Sequence, residues 1–355
     1  MKRRNFLQAG MALAGAPLWA QQTADEGWRT FELTTRVEVL KPAGATRVWV
    51  PGALAADSPF QKTLANRFQC DGGSARLVRN EPDGLAIVTA EFPAGVKPAL
   101  TVTSRVATRN CTVDLRAPGG GEKASAAELR HYLRSTRYLP TDGIVRETAD
   151  AITKGAAADS DKARAIYDWI VENTHRDPKT RGCGLGDIRF MLESKDLGGK
   201  CADLNALFVG LARAAGVPAR DAYGIRTAKS QLGYKSLGAS SENVTKAQHC
   251  RAEVYLEAHG WVPVDPADVR KVMLEEPPGG RGPDDAMVRQ ARTRLFGSWE
   301  MNWMAYNFAH DVALPDSTGH TLAFLMYPQA ETGGERLDSL DADAFHYEIA
   351  AHEIG

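Results

Sequence analysis

Three side chains in this sequence are suited to the successive steps of one covalent mechanism: Cys201, His249 and Asp265. Cys201 lies in Gly198-Gly199-Lys200-Cys201-Ala202-Asp203, and the run after it carries Leu204, Leu207, Phe208 and Leu211 at helical spacing. Gly216 tolerates the positive φ of a helix C-terminus and Pro218 stops further winding, so the spacing predicts a buried helix that opens at Cys201. Free backbone N–H groups and the positive end of the helix dipole favour an anion there. With Lys200 beside it, a thiol at that point has a depressed pKa, and the thiolate is the nucleophilic form. A buried structural cysteine is the plain alternative, because free cysteine is among the most buried residue types. What decides between them is whether another part of the chain answers Cys201.

The segment Gln248 to Leu256 answers it. Cys250, Ala252, Val254 and Leu256 alternate with His249, Arg251, Glu253 and Tyr255, a strand pattern; a turn at His259-Gly260 then returns the chain as Trp261-Val262-Pro263-Val264-Asp265. An odd-length loop, such as 258–260, leaves Asp265 on the same face as His249, and an even-length loop puts it on the other. On one face, the histidine can take the thiol proton while the carboxylate fixes the ring tautomer and stabilises the imidazolium. A metal centre is the rival use of Cys183, Cys201, His249 and Cys250. The spacings that zinc sites favour, C-x-x-C or H-x3-H, are missing, so neither metal nor cofactor is expected.

Gly199-Lys200-Cys201, the helix end Gly-Val-Pro-Ala-Arg at 216–220, His249 and Gly260-Trp261-Val262-Pro263-Val264-Asp265-Pro266 together resemble the transglutaminase-like superfamily of cysteine enzymes. That resemblance spans roughly residues 160 to 270. It implies an α+β fold, with an N-terminal antiparallel β-sandwich followed by a papain-like, transglutaminase-like α+β catalytic domain. It also implies Cys201 as nucleophile, His249 as general base and Asp265 as orienter, acting on amide bonds through a thioester. Hydrolysis, as by a peptidase or amidase, is the expected resolution, since water is abundant and no acidic cluster resembles the calcium sites of animal transglutaminases. A peptide, a peptidoglycan stem and a protein side-chain amide all remain open as substrate. A catalytically silent copy acting as a binding or assembly module is the other reading. Many relatives follow the histidine with a small residue and tryptophan, whereas Cys250 and Arg251 stand here, and Arg251 shares the face of His249. Arg251 is therefore expected to bring positive charge into the cleft.

The elements that must position these residues read as follows. From Trp28 to about Leu115 short strands alternate with Pro and Gly breaks, the texture of an antiparallel sandwich over 25–117. Pro118-Gly119-Gly120-Gly121 is a linker to a catalytic domain over 125–315. There Ala163, Ile166, Tyr167, Ile170 and Val171 form one helical face. The glycine-rich stretch Arg181 to Asp187 lacks the lysine and hydroxyl of a phosphate loop, and is expected to bring backbone and Cys183 near the nucleophile. If Phe296 to Asn307 is helical, Trp299, Trp303 and Tyr306 share a face; part of that stripe, Trp299 and Trp303, is a candidate lining of the substrate cleft. Residues 316–355 read as a C-terminal β extension with strands at 321–327 and 345–350, added to one of the sheets.

Forty-three basic residues face 44 acidic ones, a formal net charge of −1, which argues against nucleic acid or a lipid surface as partner. The first residues, Met-Lys-Arg-Arg-Asn-Phe-Leu-Gln, precede an apolar run too short to span a bilayer, and small residues stand near Ala20. Residues 1–20 therefore read as a signal peptide of twin-arginine type, with a periplasmic protein and no membrane span after its removal. Five cysteines is an odd number, so at least one stays out of any intramolecular disulfide; Cys70 and Cys111, the two in the sandwich, are the candidate pair. Replacing Arg3 and Arg4 together by lysine should hold the precursor in the cytoplasm in a fractionation experiment. Normal export and processing of that variant would remove the twin-arginine assignment.

Overall fold

The computed structural model describes residues 27–354. The signal-peptide assignment to residues 1–20 lies outside that range. Up to residue 112 the chain is mostly strand: β1 (Arg29–Val39), β2 (Thr46–Pro51), β3 (Gln61–Asp71), β4 (Ser74–Asn80), β5 (Leu85–Phe92), β6 (Ala99–Thr108) and the two-residue β7 (Cys111–Thr112). Helices follow: α1 (Ala126–His131), α2 (Gly143–Ile152) and α3 (Asp159–Asn173), then β8 (His175–Arg176), α4 (Ile188–Ser194), β9 (Gly198–Gly199) and α5 (Cys201–Ala214). Next come β10 (Ala219–Arg226), β11 (Gln248–Leu256), β12 (Gly260–Val264), α6 (Pro266–Glu275), α7 (Ala286–Arg294), β13 (Ser298–Trp299) and β14 (Trp303–Asn307). The chain ends in β15 (Gln329–Thr332), β16 (Glu335–Arg336) and β17 (Phe345–Glu353).

Two antiparallel sheets, ordered β17-β1-β6-β3 and β16-β15-β2-β5-β4, face one another. Val37, Val39, Leu100, Val102 and Phe345 from the first interleave with Val48, Val50, Val88, Phe92 and Ala330 from the second. The tail is thus not an addition to one sheet, since β15 and β16 extend the second and β17 extends the first. Residues 321–327 form no strand; Leu325 and Met326 are buried there and Phe324 stacks on Tyr223, so their apolar character comes from packing on neighbouring layers. Strand β1 has a single apolar face that serves two cores. Val37 and Val39 belong to the sandwich, whereas Phe31 and Leu33 pack into the core built around α5.

That second core lies between helices and an antiparallel sheet ordered β12-β11-β10-β14. All fourteen residues of α5 are buried, as expected of a helix packed on every side. The β11–β12 register pairs Leu256 with Gly260 and Ala252 with Val264. The connecting loop is therefore residues 257–259, odd in length and one position earlier than expected. Continued one step, that register sets Asp265 across from Arg251 and on the face of His249.

Three expectations are corrected by the fold. Trp299 and Trp303 lie on the short strands β13 and β14 rather than on a helix; this run bonds to neighbouring strands, Trp303 pairing with Arg226 of β10. Both indoles are buried in a cluster with Phe60, Tyr132 and Met301, so they are core and do not line the cleft. Cys70 and Cys111 are both free thiols. Cys70 pairs with Leu100 at one end of β6, and Cys111 follows the other end. Eight residues of strand separate the two ends, roughly 25 Å, far beyond disulfide reach.

Because Phe345, Ile349 and Ala351 of β17 are buried, ending the chain after Ala344 should lower unfolding stability by more than about 4 kcal/mol. A urea midpoint for that truncated chain equal to that of the full chain would contradict this reading of β17.

Candidate active site

Cys201 is the first residue of α5, so its thiol lies at the helix N-terminus. The preceding loop is clamped there by Asp203, whose Oδ1 accepts from the N–H groups of Leu185 and Gly186 (both 3.0 Å) and whose Oδ2 accepts from Lys200 N–H at 3.0 Å. Gly184 makes this approach possible: at φ +98° it has no side chain, and a Cβ there would fall 1.8 Å from Asp203 Oδ2. Ala202 N–H donates to the Cys183 carbonyl at 2.9 Å, which brings the two cysteines side by side. The glycine-rich loop thus delivers Cys183 to the nucleophile position, as its composition suggests.

His249 is the second residue of β11 and is held from two directions. Its carbonyl accepts from Trp303 Nε1 at 2.8 Å. The indole can cross β10 there only because Gly224, which pairs with His249, has no side chain; a Cβ would lie 2.4 Å from the Trp303 ring. The His249 ring bonds through Nε2 to Asp265 Oδ2 at 2.8 Å, and Asp268 Oδ2 is 3.4 Å from the same nitrogen. With Nε2 so engaged, Nδ1 is left for the Cys201 thiol, which neighbours the ring closely enough for His249 to lower its pKa. Asp265, cap of α6, accepts from Asp268 N–H at 3.0 Å and from Asn205 Nδ2 at 3.2 Å. Asn205 Nδ2 also donates to the Cys250 carbonyl at 2.9 Å, tying α5 both to β11 and to the cap of α6.

The site thus contains residues that the sequence reading passed over. Asn205 is one: a polar residue one turn after Cys201 in a mostly apolar helix is the signal that could have revealed it. Asp268 and Arg226 are the others. Arg226 Nη2 grips both oxygens of Asp268 at 2.7 and 2.9 Å. Arg226 lies two elements away in sequence, and no spacing rule links it to Asp268. His249, Asp265 and Asp268 also offer atoms within 4.8 Å of one another, yet Arg226 already supplies the compensating charge at that point.

Charges follow from these contacts. The neighbouring Cys183 and Cys250 thiols, then His249, hold the Cys201 thiol well below its ordinary pKa against the opposing effect of burial. Desolvation and Arg226 oppose protonation of His249, but Asp268 and Asp265 outweigh them and raise its pKa to about 9. Arg226 is what keeps Asp268 ionised despite complete burial. Burial and the neighbouring Asp268 push Asp265 upward instead. Both shifts favour the thiolate–imidazolium form of the pair over the neutral one. Arg251 corrects a further expectation. It is 3% exposed and lies behind the histidine, with Nη1 donating to the Glu300 carbonyl at 2.9 Å, Nε 3.8 Å from Asp265 and its guanidinium over the Trp303 ring. It balances Asp265 from the rear and does not enter the cleft.

Cys201 and His249 open on a cavity of about 290 Å³, lined also by Cys183, Lys200 and Gln248. A larger cleft of about 1240 Å³, edged by Arg220, Trp261 and Phe308, contains none of the three residues. Because the Cys201 thiol is held below its ordinary pKa, its alkylation by iodoacetamide should rise much less steeply between pH 6 and 8 than that of an ordinary thiol. A thiol with the ordinary pKa of about 8.5 gains close to tenfold per unit over most of that range. Rapid-quench kinetics with peptide mapping reads this directly, and an ordinary pH slope at Cys201 would contradict the ion pair.

The family model of the transglutaminase-like superfamily matches residues 146–266, the stretch holding Cys201, His249 and Asp265. An uncharacterized protein of Haemophilus influenzae is 34% identical over 344 residues, 91% of either chain. Among solved structures, a proposed cysteine protease from Cytophaga hutchinsonii is similar over 93% of this chain and 92% of its own, with 16% identity and a TM-score of 0.57. The periplasmic domain of TgpA from Pseudomonas aeruginosa aligns over 72% of this chain and 93% of its own, at 15% identity and a TM-score of 0.35. The family match over the site and the near full-length relative together assign the chain to the transglutaminase-like superfamily, to which it belongs.

Proposed function

We propose that the protein is a cysteine-dependent hydrolase of amide bonds, a peptidase or amidase working through a thioester. The observation that carries this reading is the juxtaposition of a helix-start thiol with a histidine whose other nitrogen is held by Asp265 at 2.8 Å. The Cys201 thiolate attacks the amide carbonyl, and the His249 imidazolium gives its proton to the departing amine as the C–N bond breaks. Neutral His249 then takes a proton from water, whose oxygen attacks the thioester; the carboxylic acid leaves and the thiolate is restored. Asp265 keeps the ring in the orientation both halves require, and Asn205 keeps Asp265 in place. Water rather than an amine is the acceptor in this proposal, since nothing around the cavity marks out a second substrate. Export by the twin-arginine route to the periplasm belongs to the same proposal. Among the described residues no helix is long and apolar enough to cross a membrane.

His249→Ala should abolish turnover and suppress neutral-pH alkylation of Cys201, because the thiolate loses its cationic partner. Asp265→Asn should leave Cys201 open to alkylation yet reduce turnover about 100-fold or more, the scale of positioned acid–base catalysis. Both are read by mass spectrometry with a thiol-directed probe together with release of amine from a peptide mixture. If Cys201 proves no more reactive than Cys183 or Cys250, the nucleophile assignment fails and a silent binding module is the better description.

A further inference from the structure

The cavity in front of Cys201 is markedly one-sided in charge. Arg176, Lys200, Arg226, Lys246 and Lys271 all line it, and none of its lining residues is acidic. Two carboxylates stand behind these cations. Glu275 pairs with Arg176 and is 3.7 Å from Lys271, while Asp268 is shared between Arg226 and His249. Lys200 Nζ donates only to the Thr180 carbonyl, at 2.7 Å. Lys246 is exposed at the end of the 229–247 loop, which is pinned to β17 by Val244 N–H donating to the Ile349 carbonyl at 2.8 Å. The positive charge facing the cavity is thus carried by anchored elements and exceeds its local compensation. A cavity of this size admits little more than the groups flanking the scissile bond.

Resting on the reading of Cys201 as nucleophile, we infer that the acyl substrate carries a carboxylate within about one residue of the bond attacked, and that Lys246 and Lys271 select for it. Burial and the nearby Arg226 already lower the pKa of Lys271, so a bound anion there would restore its charge balance. A carboxylate in that position also explains why the neutralising side chains lie behind the wall and leave the cavity face open. The anion would be drawn in by the cations and held by charge-assisted hydrogen bonds.

The test compares iodoacetate with uncharged iodoacetamide on the full-length protein at pH 7, with Cys201 modification followed by mass spectrometry. The ratio of iodoacetate to iodoacetamide rate constants should exceed that of N-acetylcysteine at least tenfold. It should fall at least threefold in Lys246→Ser and again in Lys271→Gln. If Cys201 is no faster than N-acetylcysteine with either reagent, the nucleophile reading itself fails. A fast reaction with iodoacetamide combined with a ratio that ignores both substitutions overturns only the carboxylate inference. Protection of Cys201 then identifies the source of the carboxylate. N-acetyl-Ala-Ala offers a chain terminus, N-acetyl-Ala-Glu-amide offers a side chain, and N-acetyl-Ala-Ala-amide is the neutral control. Better protection by either acid supports the inference, and protection by neither acid beyond the neutral amide overturns it.

Discussion

The arrangement rests on a buried run of charges that alternate in sign. Arg226 grips Asp268, Asp268 and Asp265 both face His249, Arg251 backs Asp265, and the Cys201 thiol lies on the far side of the His249 ring. Taking any one of these from water into a protein interior costs several kcal/mol unless a partner compensates it. Each is tolerable here only because its neighbours carry the opposite sign. The imidazolium is therefore a property of the whole run and not of the Asp265 bond alone, which explains why its pKa reaches about 9 despite full burial. The lowered pKa of the Cys201 thiol favours the negative charge that completes the alternation.

Much of the surrounding fold serves to hold that run in register. The odd three-residue loop aligns Asp265 with the His249 face, and Asn205 joins β11 and the cap of α6 to α5. Gly224 admits the Trp303 indole that fixes the His249 backbone, and Gly184 admits the loop that brings Cys183. The sandwich takes part as well. Gln61 on β3 exchanges two hydrogen bonds with the backbone of Ala305 on β14, at 3.0 and 2.7 Å, two residues from Trp303. The position of a strand of the second core is thus set in part by the sandwich.

What could be read from the sequence and what could not divide along physical lines. Cys201, His249 and Asp265 were legible because local rules govern each: helix start, strand alternation and hairpin parity. The β5 and β6 strands and the buried face of α3 were legible for the same reason. Asp268 with Arg226, and the rear position of Arg251, depend on contacts between distant segments, which no local pattern encodes. The aromatic run 299–306 misled because its spacing fits a helical stripe, whereas pairing with β10 decides its conformation. Cys70 and Cys111 misled because two cysteines in one sandwich need not share an end of it. The residues at 321–327 are apolar for packing and form no strand there.

The most direct measurement of the central claim is an NMR titration of the His249 ring nitrogens in the wild-type protein. The account predicts that both nitrogens remain protonated through pH 8 and that the ring loses its proton near pH 9. A ring already neutral at pH 7, titrating near the ordinary value of about 6.5, would contradict the buried ion pair on which the rest of the site depends.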